Sequence, residues 1–144
     1  RSTDGAAHWT LLNTRRPLYW PKDFLVDPDD SRVLYVGAAD ARADQAGLWR
    51  TRDGGTSWER LARKGPGHFG ASLHPAHKGW IYMTLTEGAP GPGLWLSQDD
   101  GRTWSAMGLP FANAQRVAFD PADPDSILVT TFGGSVWRGP ASED

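Results

Sequence analysis

Acidic side chains are the first guide to a possible reaction in this chain of 144 residues. Two carboxyl groups about 5–9.5 Å apart can hydrolyse a glycosidic bond, one as the acid and the other as nucleophile or base. Asp23 begins an apolar run. Asp40 and Asp44 lie in the polar loop 38–47, and Glu87 precedes a stretch rich in Gly and Pro. We treat these four residues as weak catalytic candidates, because acids in polar loops are more often only solvated.

The cysteine and histidine content of the sequence argues against other kinds of catalytic site and against a metal site. The sequence has no cysteine, which excludes a thiol nucleophile, a thiolate metal site and a disulfide. The four histidines do not have the spacing of three ligands to one metal, so we predict no metal site and no cofactor. The acids of residues 27–30 can be interpreted as a calcium loop, but their Asp-Pro sequence is more typical of a solvated turn.

Charge and hydropathy argue against two classes of partner. The formal net charge is -2 and the sequence pI is about 6.1, so no basic field favours binding to nucleic acid. No apolar run approaches the roughly 18–20 residues that cross a membrane. The chain begins at Arg1 with no signal-like segment after it, and we expect further sequence to precede it.

One short motif occurs three times, at residues 2–9, 51–58 and 97–104, with offsets of 49 and 46 residues. Its pattern is a hydroxyl residue, Asp two positions later, Gly or Ala after a further two, and then Trp. The hydroxyl and the carboxylate can bond backbone groups inside a tight turn, where Gly allows a positive φ. The residues that we assign to this structural role are Ser2, Asp4, Trp9, Thr51, Asp53, Gly55, Trp58, Ser97, Asp99, Gly101 and Trp104. The first copy has Ala6 and His8 at two of its positions, so we expect a looser turn there.

Two further signatures repeat in nearly the same frame. Residues 24–28 correspond to 71–75 and 117–121, and residues 47–50 correspond to 93–96 and 135–138. Short apolar or alternating runs separate these marks, and none shows a convincing helical period. A repeated unit of this length indicates one small sheet per copy, which we interpret as four strands.

Together, the motif copies, the Asp-Pro turns and the Gly-Leu-Trp strands resemble the Asp-box, or bacterial neuraminidase repeat, family. This family includes sialidases, xyloglucan-degrading glycosidases, sortilin-type receptors and photosystem assembly factors. The resemblance implies an all-β fold, a β-propeller of four-stranded antiparallel blades, with about three blades in this chain. The sequence looks most like bacterial secreted glycosyl-hydrolase-like and sortilin-like propellers, which implies a secreted or periplasmic protein.

These repeats divide the chain into blades. We expect the end of one blade at 1–14, complete blades at 15–63 and 64–108, a three-stranded blade at 109–139 and a tail at 140–144. The total is twelve strands, and an N-terminal strand or a partner would complete the last blade. Propellers have about 4–8 blades, so we expect the others to come from upstream sequence or from a second copy.

The resemblance also implies which face of the propeller binds a ligand. It places the motif turns and the Asp-Pro turns on the lower face, and leaves Asp23, Asp40, Asp44 and Glu87 for the upper face. Alignment of the three inner strands gives a stripe that faces the central channel, with rings to stack on sugars and polar groups to bond hydroxyls. Its ligand-binding candidates are Trp20, Lys22, His68, Phe69, Gln115 and Arg116. An equally good interpretation is that these rings only fill the rim.

We therefore predict a segment of a secreted bacterial propeller that binds or processes carbohydrate, with any hydrolytic site incomplete in this chain. Two alternatives stay open. One is a protein-binding propeller without catalysis, of the sortilin or assembly-factor type, and the other is a self-assembling half-propeller. In each case the ligand, a glycan or a protein, is expected at the upper face.

Overall fold

The computed structural model describes residues 1–12, 18, 20–39, 45–62, 69–85 and 93–143, with Phe69 described by its backbone alone. These residues form eleven strands in three antiparallel sheets. Sheet 1 contains β1 (Pro21–Val26), β2 (Leu34–Ala38), β3 (Gly47–Thr51) and β4 (Glu59–Ala62). Sheet 2 contains β5 (Phe69–Leu73), β6 (Ile81–Leu85), β7 (Leu94–Ser97) and β8 (Ser105–Ala106), and sheet 3 contains β9 (Ala114–Asp120), β10 (Asp123–Thr131) and β11 (Val136–Pro140).

Each sheet is a meander in which consecutive strands pair. The innermost strand of one sheet contacts the next sheet, since β1 and β2 touch β5, and β5 and β6 touch β9. We call the edge at which β1, β5 and β9 begin the upper edge, and the edge of the repeated turns the lower edge. The second strands β2 and β6 are buried along their whole length, although only sheet 2 has a described sheet on both of its faces.

Two hydrophobic layers join the three sheets. Tyr35 and Leu48 of sheet 1 pack with Ile81 and Met83 of sheet 2 in the first layer. The second layer lies between sheets 2 and 3 and contains Tyr82, among others. Within the described ranges no helix is long and apolar enough to cross a membrane.

The strand expected after the first motif is the one clear departure from the predicted elements. Residues 1–12 form a turn but no strand, and sheet 3 has three strands, so the described chain has eleven rather than twelve. The physical reason is that a strand needs a hydrogen-bonding neighbour. The Thr10 amide instead donates to the carbonyl of Arg1, at 2.8 Å, and closes the segment on itself.

Candidate functional site

The repeated motif forms the same turn at the lower edge of sheets 1 and 2. In sheet 1 the Gly55 amide donates to the Thr51 hydroxyl at 2.9 Å, while Asp53 accepts from the Ser57 amide and hydroxyl at 2.8 and 2.6 Å. Ser97 and Asp99 make the equivalent bonds in sheet 2. The Ser57 side chain, followed by its amide, lowers the pKa of Asp53 to about 2. These carboxylates are therefore ionised fasteners of the turn.

The first motif copy is as well bonded as the other two, so the expectation of a looser turn is wrong. The Ala6 amide donates to the Ser2 hydroxyl at 2.9 Å, and the His8 amide donates to Asp4 at 3.0 Å. The His8 ring lies 2.6 Å from the second Asp4 oxygen and takes the place of the hydroxyl found in the other copies. Trp9 differs from its counterparts, because 73% of it is exposed where Trp58 and Trp104 are half-buried.

Asp23 joins the three inner strands at the upper edge. Its side chain is mostly buried and pairs with Arg116 of β9. Its carboxylate also accepts from the Ala71 amide of β5, at 3.1 Å, and from the Phe24 amide at 3.0 Å. Gly70 permits the close approach of β9, since an added Cβ would lie 2.9 Å from the Gln115 carbonyl oxygen and 2.4 Å from the Thr84 hydroxyl oxygen. Both carboxylate oxygens are thus used to hold the sheets together.

Trp20, the residue before β1, has a left-handed conformation, with φ of 49°. Its carbonyl accepts from the Ala39 amide at 3.1 Å, and 59% of the residue is exposed. Asn113, its counterpart before β9, has φ of 59° and accepts from the Phe132 amide at 3.0 Å. A residue with a Cβ pays roughly 1–2 kcal/mol for this conformation, so the fold holds the Trp20 ring at the rim at a cost.

Cationic and polar groups share the upper edge with that ring. The Lys22 ammonium lies 5.3 Å from the centroid of the Trp20 ring, and the Arg116 guanidinium is largely exposed. Gln115 is half-buried, and its carbonyl accepts from the Thr84 hydroxyl at 2.8 Å. Sequence reasoning missed Thr84, whose only signal is that it lies on the strand beside Gly70.

Some predicted site residues lie outside the described residues. They are Asp40, Asp44, Glu87 and His68, together with the side chain of Phe69. In the rest of the chain, no group of three His, Cys, Asp or Glu residues could hold a metal ion. The carboxylate of Asp27 instead accepts from the amides of Asp29 and Asp30, at 2.8 and 3.3 Å, and is part of its own turn.

His74 occupies the position that Asp27 and Asp120 hold in the other two sheets, and it is buried. Its Nδ1 accepts from the amides of Ala76 and His77, at 3.1 and 3.0 Å, as the carboxylate does in the Asp-Pro turns. Its Nε2 lies 2.8 Å from the Pro124 carbonyl of sheet 3 and must carry the proton, since Nδ1 is an acceptor. Burial lowers the pKa of this imidazole below its ordinary value.

An ion-pair network joins sheet 1 to the motif turn of sheet 2. The buried Arg50 guanidinium lies 2.7 Å from Glu59 and 2.7 Å from Asp100, and it also donates to the Asp100 carbonyl at 3.0 Å. Arg52 pairs with the other Asp100 oxygen. Asp100 has φ of 64° at a position where Gly5 and Gly54 stand in the other copies.

This stack of small four-stranded sheets, joined through their inner strands, defines part of a β-propeller. Residues 46–137 match the model of the Sortilin-Vps10 family, described as sortilin, neurotensin receptor 3. The match covers more than half of the chain, which therefore belongs to this family of β-propellers. The predicted all-β propeller fold is confirmed.

Other known proteins are similar to parts of this chain. A xyloglucanase from Paenibacillus sp is 28% identical in a match that covers 78% of this chain and 12% of the enzyme. The GH74 enzyme of Niastella koreensis superposes with a TM-score of 0.61 at 20% identity, covering 82% of this chain and 19% of that one. YCF48 from Cyanidioschyzon merolae superposes with a TM-score of 0.57 at 19% identity, and the match covers 84% of this chain and 34% of YCF48. This chain thus spans about an eighth to a third of the length of these proteins, and the two structures bear on its fold alone.

Proposed function

We propose that this chain is part of a carbohydrate-binding propeller of the glycoside-hydrolase-like type, and that the glycan lies across the upper edge. The observation that carries the proposal is the exposed Trp20 ring, held in a left-handed conformation at the same edge as the Asp23–Arg116 pair. The similarity to a xyloglucanase over 78% of the chain supports a glycan rather than another ligand. Because plant-type polysaccharides lie outside bacterial cells, we also propose a secreted or periplasmic location.

The chemistry of this edge suits a neutral sugar chain. An indole ring offers a flat apolar face on which the C–H face of a pyranose can stack. Lys22, Gln115 and Arg116 supply donors and acceptors for hydroxyls at the same edge. A few polar groups around an aromatic surface are typical of binding sites that orient a ligand.

We propose that Asp23 positions the edge and does not itself react. Its two oxygens accept from Arg116, from the Ala71 amide and from the Phe24 amide, which leaves it poorly placed to donate a proton or attack a sugar. Hydrolysis by the parent protein would need a pair of carboxyl groups drawn from elsewhere. Asp40, Asp44 and Glu87 remain candidates for such a pair.

Replacement of Trp20 by Gly tests the proposal. The change removes the ring but suits the left-handed backbone, so the chain should stay folded while glycan binding falls about tenfold. Binding is measured by calorimetry with xyloglucan oligosaccharides, and folding by urea titration. Trp9→Ala is the matched control, since it removes an exposed indole at the lower edge. Unchanged affinity in Trp20→Gly, or an equal loss in the control, would refute the proposal.

A peptide ligand at the same edge is the second candidate, and membership of the sortilin family favours it. In this case Trp20 and Arg116 would hold an apolar side chain and a carboxylate of a peptide. Peptide-display selection on the full chain distinguishes the two candidates. Peptides that lose affinity in Trp20→Gly, together with no binding of glycans by the wild-type chain, would select the peptide.

A further inference from the structure

A groove opens at the lower edge between sheets 1 and 2, and its volume is about 630 Å³. Leu25, Tyr35 and Leu73 line it from the hydrophobic layer that joins the two sheets, and Asp27 and Lys78 line it from the turns of the lower edge. Ligand sites typically have volumes of roughly 300–1,000 Å³, so this groove is large enough to take a ligand. We call it the lower groove, and it lies at the opposite edge from the proposed glycan site.

The equivalent place between sheets 2 and 3 is filled by rings of the chain itself. In the repeat, His74 corresponds to Asp27 and Phe119 corresponds to Leu73. The rings of His74 and Phe119 pack edge to face, with their centroids 5.0 Å apart. Between sheets 1 and 2 a carboxylate and a leucine stand where these rings would be. The lower groove is therefore open at a level where the neighbouring contact is filled by side chains.

The charges around the lower groove leave one carboxylate over. Arg52 pairs with Asp100 at 2.5 Å, and the Lys78 ammonium lies 4.0 Å from Asp29 on the opposite wall. Asp27 accepts only from the two amides of its own turn, and none of the cationic groups in the described part of the chain pairs with it. A positively charged ligand would therefore meet a carboxylate that has no cationic partner.

Tyr35 brings an aromatic ring to the wall formed by sheet 1. Only 3% of this residue is exposed, and the Arg50 guanidinium lies 6.0 Å from the centroid of its ring. Burial raises the pKa of Tyr35, and the negative charge of Asp27 acts in the same direction. The hydroxyl therefore stays protonated, and the charge of Asp27 is felt inside the lower groove.

We propose that the lower groove binds an arginine side chain of a partner polypeptide. The guanidinium bonds to the carboxylate of Asp27, which can accept it because a carboxylate has about four acceptor sites and the turn amides use two. The aliphatic part of the arginine covers Leu25 and Leu73. The occupant is a side chain because side chains fill the equivalent space between sheets 2 and 3. Lysine fits less well, since an ammonium lacks the planar fork that matches a carboxylate.

An NMR titration of the full chain with two capped tripeptides tests the proposal. The first peptide has arginine between two glycines, and the second has citrulline, which keeps the shape of arginine but carries no charge. We expect the arginine peptide to shift the amide signals of residues 27, 29 and 76–79 with a dissociation constant of about 1 mM. The citrulline peptide should bind at least about tenfold more weakly, because its bonds to Asp27 are not charge-assisted.

Three variants test whether the lower groove is the site. Asp27→Asn keeps the oxygen that the turn amides need but removes the charge, so affinity for the arginine peptide should fall at least about tenfold. Leu73→Phe places in the groove the ring found at position 119 and should block binding as well. Asp120→Asn is the control, because this counterpart in sheet 3 also accepts from a turn amide, that of Ala122 at 2.9 Å, but does not line the groove.

Urea titration checks that each variant is folded, and Leu73→Phe decides the matter if Asp27→Asn is not. No binding of the arginine peptide at 10 mM, or equal binding of the citrulline peptide, would overturn the proposal. It would also be overturned by shifts confined to the upper edge, or by an equal loss of affinity in Asp120→Asn.

Discussion

Replacement of His74 by Asn is expected to flatten the pH dependence of stability between pH 7 and 5. Protonation of the buried ring would put a proton on Nδ1, which faces the Ala76 and His77 amides. Burial holds the pKa of His74 below its ordinary value, although the hydrogen bond to the Pro124 carbonyl raises this pKa. The neutral imidazole belongs to the folded state, while the unfolded chain takes up a proton below about pH 6.5. Stability from this group is complete above that pH and declines as the pH falls.

The size of the effect follows from the contacts. One proton changes stability by at most about 1.4 kcal/mol per pH unit, which gives up to about 2 kcal/mol between pH 6.5 and 5. At pH 7.5 the Asn variant keeps an acceptor for the two turn amides but loses the bond to Pro124 and the ring contacts with Trp80 and Phe119. We expect a cost of about 2–3 kcal/mol there. The difference in stability between the two proteins should thus become smaller as the pH falls to 5.

Urea unfolding at several pH values between 7.5 and 5, followed by tryptophan fluorescence, measures this convergence. The other charged or titratable neighbours of the ring are His77 and Tyr82, whose ring centroids are 4.5 and 6.3 Å away, and Asp125, whose charge opposes the decrease in pKa. His77→Gln leaves the Nδ1 contacts of His74 in place and serves as the control, with the wild-type slope expected. If the wild-type chain were equally stable at pH 7.5 and 5, or if His74→Asn kept its slope, the reasoning would be wrong.

Three other substitutions test the turns and the contacts between sheets. Side-chain and backbone hydrogen bonds lower the pKa of Asp99 to about 2, so the folded chain should lose stability below pH 4 as this motif carboxylate becomes protonated. Asp99→Asn removes this titration and should make the acid unfolding curve shallower. Asp100→Gly removes the charged partner of Arg50 but relieves the left-handed strain, and urea titration should show a net loss of about 1 kcal/mol. Leu94→Ala empties a fully buried site between sheets 2 and 3 and should cost about 3 kcal/mol by the same assay.

The fold could be predicted because its information is local and repeated. Each motif copy fixes one turn through bonds that span four residues, such as those of Thr51 and Asp53, and the periodic recurrence of the motif then sets the number of sheets. The prediction of a strand after Trp9 was wrong for a complementary reason. The local pattern is that of a strand, but its pairing partner is not among the described strands.

The site was less predictable, because its contacts join residues far apart in sequence. Alignment of the three inner strands puts Asp23 and Arg116 at the same level, but it does not predict that they pair directly across 93 residues. That pairing depends on how closely β1, β5 and β9 approach one another. The left-handed conformation of Trp20 is contrary to the preference of an indole side chain. Its signal lies only in the equivalent position of Asn113, a residue that tolerates positive φ.

The two contacts between neighbouring sheets differ in the forces that hold them, and this difference separates their responses. Sheets 1 and 2 are joined at the lower edge by Arg50 and Asp100, a partly exposed ion pair that salt screens. Sheets 2 and 3 are joined at the same edge by the neutral ring of His74, which contacts Tyr82 and Phe119. Mild acid protonates Nδ1 of His74, which then no longer accepts from the two turn amides. Acid should therefore release sheet 3 first, while high salt should act first between sheets 1 and 2.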